Sequence, residues 1–187
     1  MSDKNIYEGL AALFSYPGED YRLHADECLR ALDTVPAEVS ADFHKFHAGI
    51  EGLSTEELQE LFTRTFDLNP MCTLEIGWQL YGEDYQRGEF LVKMRQHLRE
   101  YGVQESGELP DHLSHALALL GELEEAEAAE FASVYVLPAI DKMRTAWKEH
   151  RNAFAELLEF VFELLKTDYP YDPARSPAHL PELRVLQ

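Results

Sequence analysis

Apolar residues recur along this chain at helical spacing. Ile6, Leu10, Leu13 and Phe14 fall at steps of four, three and one, one face of a helix that Pro17-Gly18 ends. Tyr21, Cys28, Leu29 and Leu32 outline a second helix, closed near Pro36, and Val39, Phe43, Phe46 and Ile50 a third. The next start is marked by its own chemistry. Ser54-Thr55-Glu56-Glu57 fits a capping box, in which the Ser54 side chain takes the Glu57 amide and Glu57 reaches back, with Leu53 and Leu58 placed as a hydrophobic staple. The stripe Leu58, Leu61, Phe62, Phe66 should fail at Asp67-Leu68-Asn69-Pro70, because Pro70 disfavours helical geometry at Asn69.

A short helix is expected over residues 74–81, broken by Gly82. Asp84 can cap the following one, whose inner face reads Tyr85, Leu91, Met94, Leu98 and Tyr101. Gly102 just past its end, with Val103 able to touch Leu98, fits the Schellman pattern. Beyond a loop at Ser106-Gly107, Pro110 suits the first position of a helix striped by Leu113, Ala116, Leu117 and Leu120 and ended by Gly121. Residues 122–136 read as one more helix. Pro138 kinks it or opens the next, which runs through Trp147. Phe154, Leu157, Leu158, Val161, Phe162 and Leu165 mark the last. From residue 169 the texture changes to four prolines and little periodicity, an extended or mobile tail. With no alternating strand segments standing out, the fold class is all-α: a single-domain bundle of roughly eight to ten helices over residues 1–168, with a tail over 169–187.

Composition narrows the function. A chain of 187 residues fits one domain, and its formal charge of −19 repels polyanions, so nucleic acid and anionic lipid surfaces are not expected partners. No stretch approaches the length of a membrane span and the N-terminal apolar run is too short for a signal peptide, which predicts a soluble cytoplasmic protein without membrane insertion. Two distant cysteines, Cys28 and Cys72, suit a reducing compartment.

The acid is unevenly placed. From Glu100 through Asp141 there is no Lys or Arg, while the same 42 residues hold ten carboxylates. Such a run is relieved by a cationic partner and steers it. Inside it lies GELPDHL. On a helix Asp111 and His112 would diverge by about 100°, which is poor for a catalytic pair. Asp111 would project outward and His112 would lie on the flank of the leucine stripe, near Leu119. Asp111 and His115, four apart, could meet for acid–base work, the weaker enzymatic reading. The His44/His47 and His112/His115 pairs lack the further ligands a metal needs, and no fingerprint of a nucleotide or pterin pocket occurs, so neither metal nor cofactor is expected. An apolar groove with an acidic rim suits an amphipathic helical peptide carrying basic residues.

Residues 57–70 (ELQELFTRTFDLNP), 80–91 (LYGEDYQRGEFL), 106–113 (SGELPDHL) and the early LAALFSYP at 10–17 are similar to the nitrate reductase delta subunit family, the NarJ-type molybdenum cofactor assembly chaperones, within the redox enzyme maturation proteins of TorD-like fold. The resemblance implies a non-enzymatic chaperone that binds the N-terminal segment of a nitrate reductase catalytic (alpha) subunit and holds the apoenzyme for cofactor insertion. A chaperone of the same fold for an S- or N-oxide reductase is the alternative. It implies peptide recognition by Glu108, Pro110, Asp111 and His112, and family motifs at Asp67, Asn69, Pro70, Tyr81 and Gly82 that also suit a helix stop and a turn. His112, as an imidazole that ordinarily titrates near neutrality, is expected to make docking sensitive to pH.

Overall fold

The computed structural model describes residues 4–32, 35–145 and 151–173. Within them the chain is helical throughout: α1 (Lys4–Leu13), α2 (Tyr21–Ala31), α3 (Ala37–Ile50), α4 (Thr55–Phe62), α5 (Ile76–Tyr81), α6 (Tyr85–Glu100), α7 (Leu113–Glu122), α8 (Glu125–Phe131), α9 (Leu137–Thr145) and α10 (Ala153–Asp168). Two π-helical turns, Thr63–Asp67 and Ala132–Val136, extend α4 and join α8 to α9. The one extended pairing among the described residues is an isolated antiparallel bridge between Glu75 and His112. The all-α bundle expected from the pattern is the fold observed.

Local chemistry sets the boundaries. Ser54 accepts from the Glu57 amide at 3.2 Å and the Ser54 amide donates to the Glu57 carboxylate at 2.7 Å, the full capping box. Asp84 caps α6 through the Gln86 amide at 2.9 Å. Gly102 takes φ +71°, and Val103 N–H returns to Leu98 O at 2.8 Å, closing the Schellman turn. Gly82 breaks α5 at φ +59°.

Several expectations are corrected. The inner face of α6 is Phe90, Met94 and Leu98; Tyr85 is exposed and Leu91 only half-buried, because the cap at Asp84 fixes the register. Gly121 does not end α7. It lies within the helix where α1 crosses so closely that a Cβ there would sit 3.3 Å from Tyr7 Cβ. The break falls instead at Leu123, whose extended ψ of 147° stops α7 and splits the expected helix over 122–136. Pro138 is accommodated just after a widened π turn. Trp147 lies outside the described residues.

The core is strongly aromatic. Helix α10 packs on α3 and α9, and α1 on α7 and α2. Phe154 on α10 meets Phe46, Phe62 and Phe66 with ring centroids 6.0, 5.3 and 5.5 Å apart. Each buried ring contributes about 2–3 kcal/mol by burial, and together they fix the π turn that carries Phe66 and Asp67. A polar tie adds to this: Asn152 caps α10 through the Ala155 amide at 3.0 Å, and its Nδ2 donates to Thr65 Oγ1 at 2.9 Å. The first residues of the segment expected as a tail lie on the body. Tyr169 is buried, and Tyr171 packs on Phe162 with its hydroxyl donating to Asp141 at 2.7 Å.

Candidate functional site

The GELPDHL stretch is a turn followed by a single extended pairing. His112 N–H donates to Leu109 O at 3.0 Å, which places Pro110 at the second position of a tight turn rather than at the start of the helix. Helix α7 begins at Leu113, capped by the His112 side chain. Leu113 N–H then donates to Leu74 O at 2.8 Å, and Ile76 N–H to Asp111 O at 2.9 Å. These two bonds flank the Glu75–His112 pair. In such a non-hydrogen-bonded antiparallel pair the facing side chains share one face, with Cα atoms about 4.5 Å apart.

Alternation along an extended segment then sends neighbours to opposite sides. His112 turns to Glu75. Asp111 turns inward and is fully buried, so the expectation of an outward carboxylate is corrected: the local geometry is a bridge, not a helix. Its Oδ2 accepts from Gly77 N–H at 3.0 Å and its Oδ1 has no partner among the described residues. Burial pushes the Asp111 carboxyl up to about 6; the nearby Arg87 opposes this and Glu75 adds to it. The Arg87 guanidinium lies over the Trp78 ring, 5.2 Å from its centroid, with its Nε unpartnered among the described residues.

His115 is committed to structure through both ring nitrogens and His112 through one. His115 is buried, with Nδ1–H donating to Leu109 O at 2.9 Å and Nε2 accepting from Ser106 N–H at 2.9 Å. Both ring nitrogens are therefore occupied by the loop, and Asp111 is occupied by Gly77. The two do not form the acid–base pair their spacing allowed. His112 Nδ1 faces Ser114, 3.3 Å from its amide and 2.7 Å from its hydroxyl. Burial lowers its imidazole to about 4, so it stays neutral near neutrality and the expected pH sensitivity through His112 is corrected.

What this clamp builds is a cleft of about 320 Å³ lined by Tyr16, Phe62, Phe66, Asp67, Thr73, Leu74, Glu75, Glu108 and His112. Its floor is aromatic, with the Tyr16 ring edge-on to Phe62 at 5.8 Å. Among the described residues three carboxylates line it, and no Lys or Arg does. Leu68, Met71 and Leu109, chain neighbours of this lining, are exposed apolar side chains. Of the sequence candidates, Asp67, Glu108 and His112 converge here, while Pro110 and Asp111 lie behind the wall, both buried. Asn69 makes the turn after the π segment, its Oδ1 accepting from the Met71 amide at 3.2 Å. Pro70 is exposed beside that turn. Tyr81 packs on Phe90 at 5.6 Å and burial raises its hydroxyl to about 12.

Glu75 lies in none of the motifs above, and Tyr16, within LAALFSYP, is not among the site residues they imply. For Glu75 a signal was present: Cys72-Thr73-Leu74-Glu75-Ile76 alternates apolar and polar, the period of an extended segment. Cys72, Leu74 and Ile76 are buried, while Thr73 and Glu75 line the cleft. The acidic run is partly balanced within the fold, since Lys4 meets Glu122 at 2.7 Å, Arg95 meets Glu105 at 2.8 Å and Arg144 meets Asp141 at 3.1 Å. Glu108 has no such partner among the described residues. No group of three or more His, Cys, Asp or Glu among those residues is arranged to hold a metal, and no helix there is long and apolar enough to cross a membrane. Both cysteines are buried, and burial pushes the Cys28 thiol up to about 12.

An all-helical scaffold, with an acid-walled cleft held by a backbone clamp, is the class of molecule this geometry defines. Residues 32–159 match the family model of the nitrate reductase delta subunit, and the chain belongs to that family. It is similar to the nitrate reductase molybdenum cofactor assembly chaperone NarJ of Escherichia coli (strain K12), 24% identical over 162 residues that cover 84% of this chain and 68% of that protein. The protein of the same name from Escherichia coli O157:H7 matches to the same extent. Those relatives are chaperones, in keeping with the non-enzymatic reading of the sequence.

Proposed function

We propose that this chain is a cytoplasmic, non-enzymatic chaperone of nitrate reductase assembly. It takes the N-terminal segment of the catalytic (alpha) subunit into the acid-walled cleft and holds the apo-subunit until its molybdenum cofactor is inserted. One observation carries the reading. Tyr16 of LFSYP, Phe66 and Asp67 of FDLNP, and Glu108 and His112 of GELPDHL are far apart in sequence yet line a single cleft. Membership of the delta subunit family and the relatives' role in molybdenum cofactor assembly support the class of client.

The division of labour follows from burial. Glu108 and His112 face the docked segment. Pro110 and Asp111 act from behind, by holding the loop against residues 74–77. Apolar side chains of the segment supply most of the affinity, against the exposed Tyr16 ring and the exposed Leu68, Met71 and Leu109. Rim carboxylates add a modest, salt-sensitive attraction and steer approach.

Calorimetry of the full chain with a synthetic peptide of the client's N-terminal segment tests this. Saturable binding is expected, weakened and made less salt-dependent in an Asp67→Asn, Glu108→Gln double variant that keeps its thermal unfolding midpoint. No binding, or unchanged affinity in that variant, overturns the reading. Tighter binding of an S- or N-oxide reductase leader would reassign the client.

A further inference from the structure

The cleft holds one hydrogen-bond donor whose use is not accounted for. His112 is 5% exposed, and its Nδ1 accepts from the Ser114 amide, which leaves the ring proton on Nε2. Nε2–H has no partner among the described residues, and the side chain lines the cleft. The nitrogen is not sealed off from the cleft, so it is free to donate to whatever docks there. Beside it stands Glu75, on the same face of the bridge, with Glu108 and Asp67 also lining the cleft. Tyr16, 54% exposed, supplies an open aromatic ring.

A ligand that satisfies this set must present a cation and a hydrogen-bond acceptor a few bonds apart. It must also carry a flat surface for the Tyr16 ring. An arginine residue within a peptide has all three: a planar guanidinium that pairs with carboxylates and stacks on aromatic rings, and its own backbone carbonyl. Lysine offers the charge without the plane. We propose that the cleft is a socket for one arginine of the docked segment, its guanidinium between Glu75 and Glu108 over Tyr16 and its carbonyl accepting from His112 Nε2–H. The assignment rests on the docking reading above and names the feature of the client that is recognised. Glu75 is its specificity-determining residue. The Glu75 carboxylate already accepts from the Thr73 hydroxyl, which sets its orientation before the ligand arrives.

The test uses the full chain in two parts. In the first, each arginine of the client's N-terminal peptide is replaced in turn by citrulline, which keeps shape and loses charge, and binding is measured to wild type and to Glu75→Gln. One position is expected to cost about tenfold with wild type and close to nothing further with the variant, the coupling of a direct charge pair. Glu75→Gln keeps the acceptor for Thr73, and its unfolding midpoint is measured alongside; Glu108→Gln, at an exposed position, serves as the second variant. In the second part N-acetyl-arginine amide, its lysine counterpart and its citrulline counterpart are titrated, with the His112 ring nitrogens followed by NMR. The arginine compound is expected to shift Nε2 more than the lysine one, the citrulline one not at all, and neither in Glu75→Gln. If the peptide binds but no citrulline position couples to Glu75 or Glu108, the socket is wrong and docking stands. If the peptide does not bind while the arginine amide shifts His112 in a Glu75-dependent way, docking is wrong and the socket stands. If arginine and citrulline amides act alike, or neither shifts His112, the socket is overturned.

Discussion

Asp111→Asn separates the burial of this carboxylate from its hydrogen bond. The amide oxygen of Asn can still accept from Gly77 N–H, the contact Asp111 makes at 3.0 Å, but the variant side chain does not titrate. In the unfolded chain an aspartate titrates at about 3.9. In the folded protein burial holds Asp111 at about 6, the Arg87 charge notwithstanding. Between those values the folded state binds more protons than the unfolded state, so this group stabilises the fold as pH falls from about 6 to about 4 and loses that contribution as pH rises again. The interval from about 3.9 to about 6, at ~1.36 kcal/mol per pH unit, amounts to about 3 kcal/mol. His112 runs the other way: its folded imidazole is lowered to about 4, so it costs stability as pH falls below about 6.5. Burial, Glu75 and His115 set the His112 value, and all three persist in the variant, so His112 cancels in the comparison. Urea unfolding of wild type and Asp111→Asn at pH 7, 6, 5 and 4, with a common m-value, measures the difference directly. The wild type should gain about 2 kcal/mol on the variant between pH 7 and pH 4, the rest of the ~3 kcal/mol coming only below the unfolded value. A difference that stays constant across that range refutes the reasoning, because it would mean the carboxyl is not held above its ordinary value.

Gly77→Ala places a Cβ 2.5 Å from Asp111 Oδ2 and 2.9 Å from Phe90 Cδ1, and should destabilise the fold by about 1–3 kcal/mol in urea titration while weakening peptide docking, since the 111–112 segment must shift. Ser54→Ala removes the capping box of α4 at a position outside the cleft lining; stability should fall by about 1 kcal/mol with client-peptide affinity unchanged by calorimetry. His112→Gln keeps a side-chain N–H donor. Because the native imidazole stays neutral above about 4, proton release on peptide binding, read in buffers of different ionisation enthalpy between pH 6 and 8, should match that of wild type.

What the sequence made legible was whatever a few neighbouring residues decide among themselves. The Ser54–Glu57 box, the Asp84 cap and the Gly102–Val103 turn each close within a handful of residues, and each is present as read. What escaped needed a partner from elsewhere. Gly121 reads as a helix stop until α1 is known to cross it. The two π turns carry no compositional mark; the first carries Phe66, packed on Phe62 and Phe154, and the second carries Tyr135, packed on Phe90 and Phe131. Tyr85 fits an apolar period on paper, but one cap residue rotates it into solvent.

GELPDHL failed for a related reason. Ordinary rules send a carboxylate outward, because burying its charge is costly, and over three residues a helix and an extended segment cannot be told apart by pattern. The bridge to Glu75, 37 positions away in the chain, decides the matter and inverts the expected orientation. The residues of this stretch are therefore needed for different physical reasons, and the reasons are separable. Glu108 touches the cleft and has no ion-pair partner among the described residues, so its conservative replacement should alter docking and leave the unfolding midpoint in place, whereas His112 also caps α7 and its replacement should move both. Pro110 and Asp111 hold the wall, so their replacement should move stability and docking together. Parallel thermal unfolding and calorimetry on Glu108→Gln and Asp111→Ala distinguish the two modes. Asp111→Ala leaves the Gly77 N–H buried without an acceptor, at a cost of about 1–3 kcal/mol. Equal loss of docking from both, with stability untouched in both, would show that Asp111 reaches the ligand after all.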